Sequence, residues 1–561
     1  MTVSLKKLMD DYWQFILDEN PDIAFEVNDP RGADVFYRHD LADLDRQHNA
    51  LAKLQDTLDQ IDATSLSGRA TLDHALLARE LSDKRAGFVH HVHLRPEHFP
   101  FCPAAYIAYC ISATVLHTDQ DTADYVCRLE SLPAYFAAHE ARLMQGATQF
   151  GFAMPDCLID RVIASAKSFV GATTTESIWM QPLSNAPGGV RDQVTALIDD
   201  KIRPAYQAWI DLLDGQYRQN HLRQTVGLCD EAGGADYYRH LVRHHTGSDA
   251  TPEQVHDIGI KEVARLENAI EKLAARAGYE GRVEDYRHHL NTAPEHVCVD
   301  ADSLREKIEV LAKRIDRKIP ELFGHVPRST YGVELIPLER SPSQPGAYAQ
   351  PAPASGDSAG IFWLNSLPDR VPQHMHIPLT LHEAWPGHLM HVALIHELEG
   401  IPTFARHDIA GYMAYIEGWA LYCERLGDEC GFIEHDWQRF GVLEMELFRA
   451  IRLVVDTGLH HFGWTRQQAI DYVMTHQPQS ETSVAAEIDR YIGMPGQALA
   501  YKMGELTITR LRAQAEERLG PQFRLRDFHD AVMASGPVTL TMLDDHICDW
   551  IERNIALKDA S

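Results

Sequence analysis

Apolar residues recur at three- and four-residue steps along most of this chain, the spacing that gathers them on one face of an α-helix. The segments 125–146 (YVCRLESLPAYFAAHEARLMQG), 251–278 and 302–319 (DSLREKIEVLAKRIDRKI) show it most clearly and predict helices. The second has marked ends. Thr251 is a good N-cap, Pro252 suits the first helical position, Glu253 lies in the first turn and Gly278 offers a stop. Strand-like material is sparse. YGVELIP (331–337) and AGIFWLN (359–365) are the best candidates, and they flank a Pro/Ser/Gly-rich loop at 341–358. There is no repeat of fixed period. The pattern predicts a mostly α fold with one small sheet. A helical scaffold lobe over 1–225 and a site-bearing region over 226–561 are expected to form one continuous fold.

Charge narrows the partners. With 52 basic and 81 acidic residues in 561, the net charge is −29, a surface that repels nucleic acid and anionic membranes. The N-terminal MTVSLKKLMDDYWQF reads as the start of an amphipathic helix rather than a signal peptide. No run of 18 apolar residues occurs. Nine scattered cysteines without CxxC spacing suit reduced thiols. Together these features predict a cytoplasmic enzyme with small or uncharged substrates.

Candidate chemistry begins at HEAWPGHLMH (382–391). It starts like HExxH, in which two histidines one helical turn apart hold zinc and the glutamate works on water. Here the second histidine, His388, arrives six residues after His382, about 240° round an ideal helix, so the two rings would diverge. Pro386 changes that. It cannot donate to the His382 carbonyl and it pushes Trp385 from helical angles, while Gly387 frees the backbone. A bulge or kink here can return His388 to the face of His382, with His391 as the alternative ligand. In a chain of 31 histidines the pair alone is weak. Glu417, in YIEGWALYCERLGDE (415–429), supplies a third ligand and completes a His/His/Glu set with a position left for water. Glu424, seven residues on and on the same helix face, is a candidate to hold a ligand histidine.

Further donors cluster downstream. IDRYIGMPGQALAYKMGEL (488–506) offers Arg490, Tyr491, Tyr501 and Lys502, and RLVVDTGLHHFGW (452–464) places Asp456 and His460 on one helical face, a pair that could orient a ligand or bind the substrate carbonyl. His374 and His376 sit in what reads as a strand or turn. The clusters at 90–93, 239–245 and 287–289 read as solvated faces without a nearby carboxylate in a buried context.

HEAWPGH, EGWALYCE, DTGLH and RYIGMPGQALAYKMG resemble, in order, the hallmarks of a bacterial domain-of-unknown-function family assigned to the gluzincin zinc metallopeptidases. The resemblance covers nearly the whole chain. It implies a two-lobed helical fold like that of carboxypeptidase Taq, neurolysin and angiotensin-converting enzyme, with a deep cleft beside a small sheet. By position, His382, His388 and Glu417 match the ligands of one zinc per chain, and Glu383 matches the general base. Tyr491 after Arg490 is similar to a pair that supports the oxyanion, with His460 assisting. GIFWLN, ending at Asn365, would be the edge strand that pairs with a peptide backbone. The expected function is hydrolysis of short peptides, with Arg490, Tyr501, Lys502 and Asn365 binding substrate. The alternatives are a non-catalytic peptide-binding protein with a structural or vestigial metal, and a zinc hydrolase of a non-peptide amide or ester.

Overall fold

Local signals carry through most faithfully where a helix has both a cap and an amphipathic face. Thr251 accepts the Gln254 amide and the Gln254 side chain accepts the Thr251 amide, so Pro252–Arg276 opens with a reciprocal box. The 302–319 pattern becomes Ala301–Asp316, capped by Asp300, and then a short turn Ile319–Leu322. The 125–146 pattern divides into Asp119–Glu130 and Leu132–Gln145. Pro133, at the second position of the later helix, has no amide hydrogen for the Leu129 carbonyl, so one continuous helix cannot form.

These elements come from a computed structural model, which describes residues 4–559 apart from 28, 37–39, 99–101, 113, 172, 175–176, 185, 339, 342–343, 354–357 and 408. The described chain is mostly helical, with two small sheets. Tyr331–Leu335 and Gly360–Leu364 pair in parallel, Tyr331 opposite Gly360. The loop between them holds a third strand, Ala347–Gln350, antiparallel to Gly360–Leu364 with Ala347 opposite Leu364. Gly360–Leu364 is therefore the central strand, and the expectation that GIFWLN forms a free edge is corrected. Four residues, AYAQ, are too short for an alternation to announce a strand.

Two large hydrophobic clusters divide the interior. In one, helices between 102 and 290 pack with Asp436–His460 and Glu481–Gly493. In the other, the helices before residue 90 pack with Gln373–Glu383, Met413–Glu424 and the C-terminal helices. The first 225 residues thus contribute to both. A smaller cluster binds the three-stranded sheet to Leu379, Ala384, Leu389 and Met445. Among the described residues, no helix is long and apolar enough to cross a membrane.

His374 and His376 lie in the helix Gln373–Glu383, not in a strand or turn. That helix is buried along almost its whole length, so it shows no amphipathic stripe from which to read it. The reading of 239–245 as a solvated face is also corrected: His245 is half-buried with its Nδ1 shielded from solvent, and His244 pairs with Asp83 at 2.8 Å. Asp83 comes from a helix more than 150 residues earlier.

Candidate metal centre

The Pro-Gly pair interrupts the helix outright instead of bulging it. Gln373–Glu383 ends one residue after His382, and a new helix, His388–Glu397, begins at His388. Between them the chain folds back on itself so tightly that a Cβ on Gly387 would lie 1.8 Å from the His382 carbonyl oxygen. Only glycine fits there. Trp419 Nε1 donates to the Pro386 carbonyl at 2.9 Å and ties this turn to Met413–Glu424, the helix that carries Glu417.

The result is a convergent set. Glu417 Oε2 lies 3.2 Å from His388 Nε2 and 3.6 Å from His382 Nε2. A tetrahedral zinc at 2.0–2.2 Å from each ligand sets its ligand atoms about 3.3–3.6 Å apart, so the residues fit the ion. Glu417 Oε2 is buried and has no hydrogen-bond partner, an orphaned carboxylate oxygen that a cation would satisfy. His382 Nδ1 meets Glu424 Oε1 at 2.8 Å. With Nδ1–H donating there, the Nε2 lone pair of His382 is turned toward Glu417. Glu424 is itself buried, and Arg449 Nη2 lies 3.6 Å from it.

The electrostatics agree. Burial opposes a charged Glu417, yet the imidazoles of His388 and His382 hold its carboxyl well below the usual range. Burial likewise opposes a protonated His382, but Glu417 and Glu424 raise it to about 9. The two carboxylates favour a proton on His382, which a metal would displace. Glu383, half-buried at the end of its helix, accepts no hydrogen bond from the described residues; burial raises its pKa, against the pull of His382 and His388. His391 stands outside the convergent set, packed on the rings of Tyr415 and Trp419. A second convergent group, His289, Glu295 and His296, is half-exposed, with Glu295 3.9 Å from His289. The buried carboxylate that corrects the reading of 287–289 is Glu444, which pairs with the buried Arg287 at 2.8 Å.

Several predicted residues have other work. Lys502 Nζ is fully buried among Glu446 (2.6 Å), Glu505 (2.7 Å) and Glu262 (3.1 Å), which occupy all three donors, so it cannot hold a substrate carboxylate. Asn365 is buried, its amide donating to the carbonyls of Ser341, Gln344 and Pro345, and it organises a loop rather than binding substrate. Asp456 accepts the Tyr238 hydroxyl and the Gly496 amide, which corrects its role as an orienter of a ligand histidine. Tyr491 donates to Glu487 at 2.8 Å and accepts from Arg452 at 2.9 Å, leaving no hydroxyl hydrogen for an oxyanion. His460 accepts the Leu228 amide at Nδ1 and donates from Nε2 to the Tyr491 carbonyl, so it too is unavailable for catalysis.

His460 and His529 make a stability prediction. His529 donates from Nδ1 to the Leu322 carbonyl and accepts the Tyr422 hydroxyl at Nε2. Burial lowers both histidines from 6.5 to about 3. As pH falls below the ordinary value, the unfolded chain binds protons first. Stability is therefore full above about pH 6.5 and declines toward pH 3, by about 1.4 kcal/mol per pH unit for each group. The denaturant midpoint at about pH 5 should fall below that at about pH 6, and His529→Gln should flatten the difference. A midpoint independent of pH across that range contradicts the assignment.

Two residues escaped the sequence reading. Arg449 and Arg452 are buried on Asp436–His460, one turn apart beside the site. Their signal was present: two arginines three residues apart inside the apolar run FRAIRLVV.

The fold and site define a mostly helical protein in which two histidines and a glutamate from three neighbouring helices converge. The chain belongs to the family described as "Bacterial protein of unknown function (DUF885)", which matches residues 24–547. Among solved structures it is similar to "the putative lipoprotein from Colwellia psychrerythraea", at 26% identity and a TM-score of 0.90, covering 99% of this chain and 100% of that one. It is also similar to "a putative lipoprotein of unknown function from Shewanella oneidensis", at 16% identity and a TM-score of 0.74, covering 97% and 99%. This second likeness is one of fold alone. No curated protein matches the chain.

Proposed function

We propose that the protein is a zinc-dependent hydrolase of the gluzincin kind, a metallopeptidase acting on short peptides. The observation that carries this is the orphaned, buried Glu417 Oε2 facing the Nε2 atoms of both His382 and His388. A zinc held by these three residues would supply an activated water and polarise the scissile carbonyl. Glu383, next to the ligand His382, serves as the general base that takes the proton and returns it to the leaving amine; its raised pKa suits that exchange. Glu424 keeps the His382 ring in the ligand tautomer, and Arg449 steadies Glu424.

The substrate backbone is proposed to lie along an outer strand of the small sheet. Of the two edges, Ala347–Gln350 packs against both Gln373–Glu383 and His388–Glu397, so it is the one beside the ligand turn. All nine cysteines are free, which supports a reducing compartment such as the cytoplasm.

Elemental analysis tests the metal assignment. The purified protein is expected to hold one zinc per chain, and Glu417→Gln to hold it at least about 10-fold more weakly while remaining folded. A variant that binds zinc as tightly as the parent would remove Glu417 from the ligand set.

A further inference from the structure

The side of the site beyond Arg449 holds buried arginine donors that its own residues do not use. Arg452, on Asp436–His460, is sandwiched by aromatic rings, its guanidinium carbon 4.4 Å from the centroids of both Phe448 and Tyr501. Its Nε donates to the Tyr491 hydroxyl and its Nη2 reaches Glu487 at 3.4 Å. Its Nη1 is buried with no partner among the described residues. Arg490 donates to Gln497 at 2.7 Å and approaches the same Glu487 oxygen at 3.4 Å. The Tyr501 hydroxyl makes no hydrogen bond among the described residues.

Glu487 and Glu424 are the carboxylates paired with Arg449, Arg452 and Arg490, and Glu424 already serves His382. Asp456 and Glu383 act on Arg490 and Arg449 without pairing with them. Lys502, the other cation of this region, is neutralised elsewhere by three glutamates. What is left over is hydrogen-bonding capacity: Arg452 Nη1 and Arg449 Nε are buried with no partner among the described residues, and buried donors are normally bonded. The unused donors, Arg452 Nη1 and the Tyr501 hydroxyl, lie at the same ring–guanidinium stack. Access exists on this side, where the side chains of Arg490 and Glu487 are 23% and 35% exposed.

We infer that this arginine pair is a receptor for the free C-terminal carboxylate of the substrate, and that the protein is a carboxypeptidase rather than an oligopeptidase that cuts internally. The inference rests on the zinc-hydrolase reading of the neighbouring centre. Arg449, which touches Glu424, and Arg452 are one helical turn apart, about 4.5 Å along the axis. That places the carboxylate receptor a short way from the scissile bond. At about 3.5 Å per extended residue, one or two residues would span it, so the products released are single amino acids or dipeptides. A guanidinium with an unused N–H is well suited to a carboxylate, because the charge-assisted bond is among the stronger ones available.

The test compares each member of a peptide mixture as the free acid and as the C-terminal amide, with products read by mass spectrometry. Free acids are expected to shorten from the C-terminus by one or two residues. The matching amides should react at least about 10- to 100-fold more slowly, the range expected for a lost hydrogen bond to a charged group. Arg490→Gln should narrow that acid-to-amide ratio, mainly through KM for the free acid. Acids and amides cut equally, at internal bonds, overturn the inference and leave the zinc-hydrolase reading standing. No cleavage of either set by zinc-loaded protein overturns both.

Discussion

Glu383→Gln is expected to lower peptide hydrolysis by about 10²- to 10⁴-fold, the usual contribution of a positioned general base, and to leave one zinc bound per chain. The amide keeps the size and position of the carboxyl but cannot take a proton. Because Glu383 lies outside the His382, His388 and Glu417 set, the ligands stay intact. Burial already raises the Glu383 carboxyl, and no described residue donates a hydrogen bond to it, so the substitution removes no structural bond. Rates followed on a free-acid peptide, with zinc measured in the same sample, make the comparison. Full activity in this variant would show that Glu383 is not the base.

The second large effect is on folding. The helices Met413–Glu424 and Ala500–Leu519 cross at two glycines, Gly418 and Gly504. A Cβ on Gly504 would lie 2.0 Å from the Ala414 carbonyl oxygen and 2.6 Å from Gly418 Cα. Both neighbours are backbone and cannot swing aside, so the helices must separate. Gly504→Ala should therefore cost about 3 kcal/mol, the upper end for overpacking. It should also weaken zinc binding, because Glu417 adjoins the crossing. A denaturant midpoint and a zinc affinity that both match the parent would contradict this packing account.

How much of this was legible in the chain depends on how local the cause is. The break between His382 and His388 could be read because Pro386 and Gly387 act on their own backbone. Glu424 could be placed because seven residues along a helix return to the same face. Helix starts such as Thr251–Pro252 were equally local. Lys502, Asn365, Asp456, Tyr491 and His460 are polar residues near the motifs, and the partners that decide their roles come mostly from other elements. Glu262 and Glu446 surround Lys502, Tyr238 holds Asp456, and Leu228 meets His460. Nothing in the spacing of RYIGMPGQALAYK announces them. The central position of Gly360–Leu364 was hidden for the same reason, since it depends on a four-residue strand inside a Pro/Ser/Gly-rich loop. In the other direction, the basic pair in FRAIRLVV was visible but unused. Charged residues inside an apolar helical run call for partners, and here Arg449 Nε and Arg452 Nη1 are buried without one among the described residues.

The most direct test of the central claim is a zinc titration of chelated protein, followed by cleavage of a free-acid peptide. Activity is predicted to be absent at the start, to rise linearly with added zinc, and to break at one zinc per chain. Cleavage that survives chelation, or a chain that takes up one zinc and cuts no peptide, would contradict it.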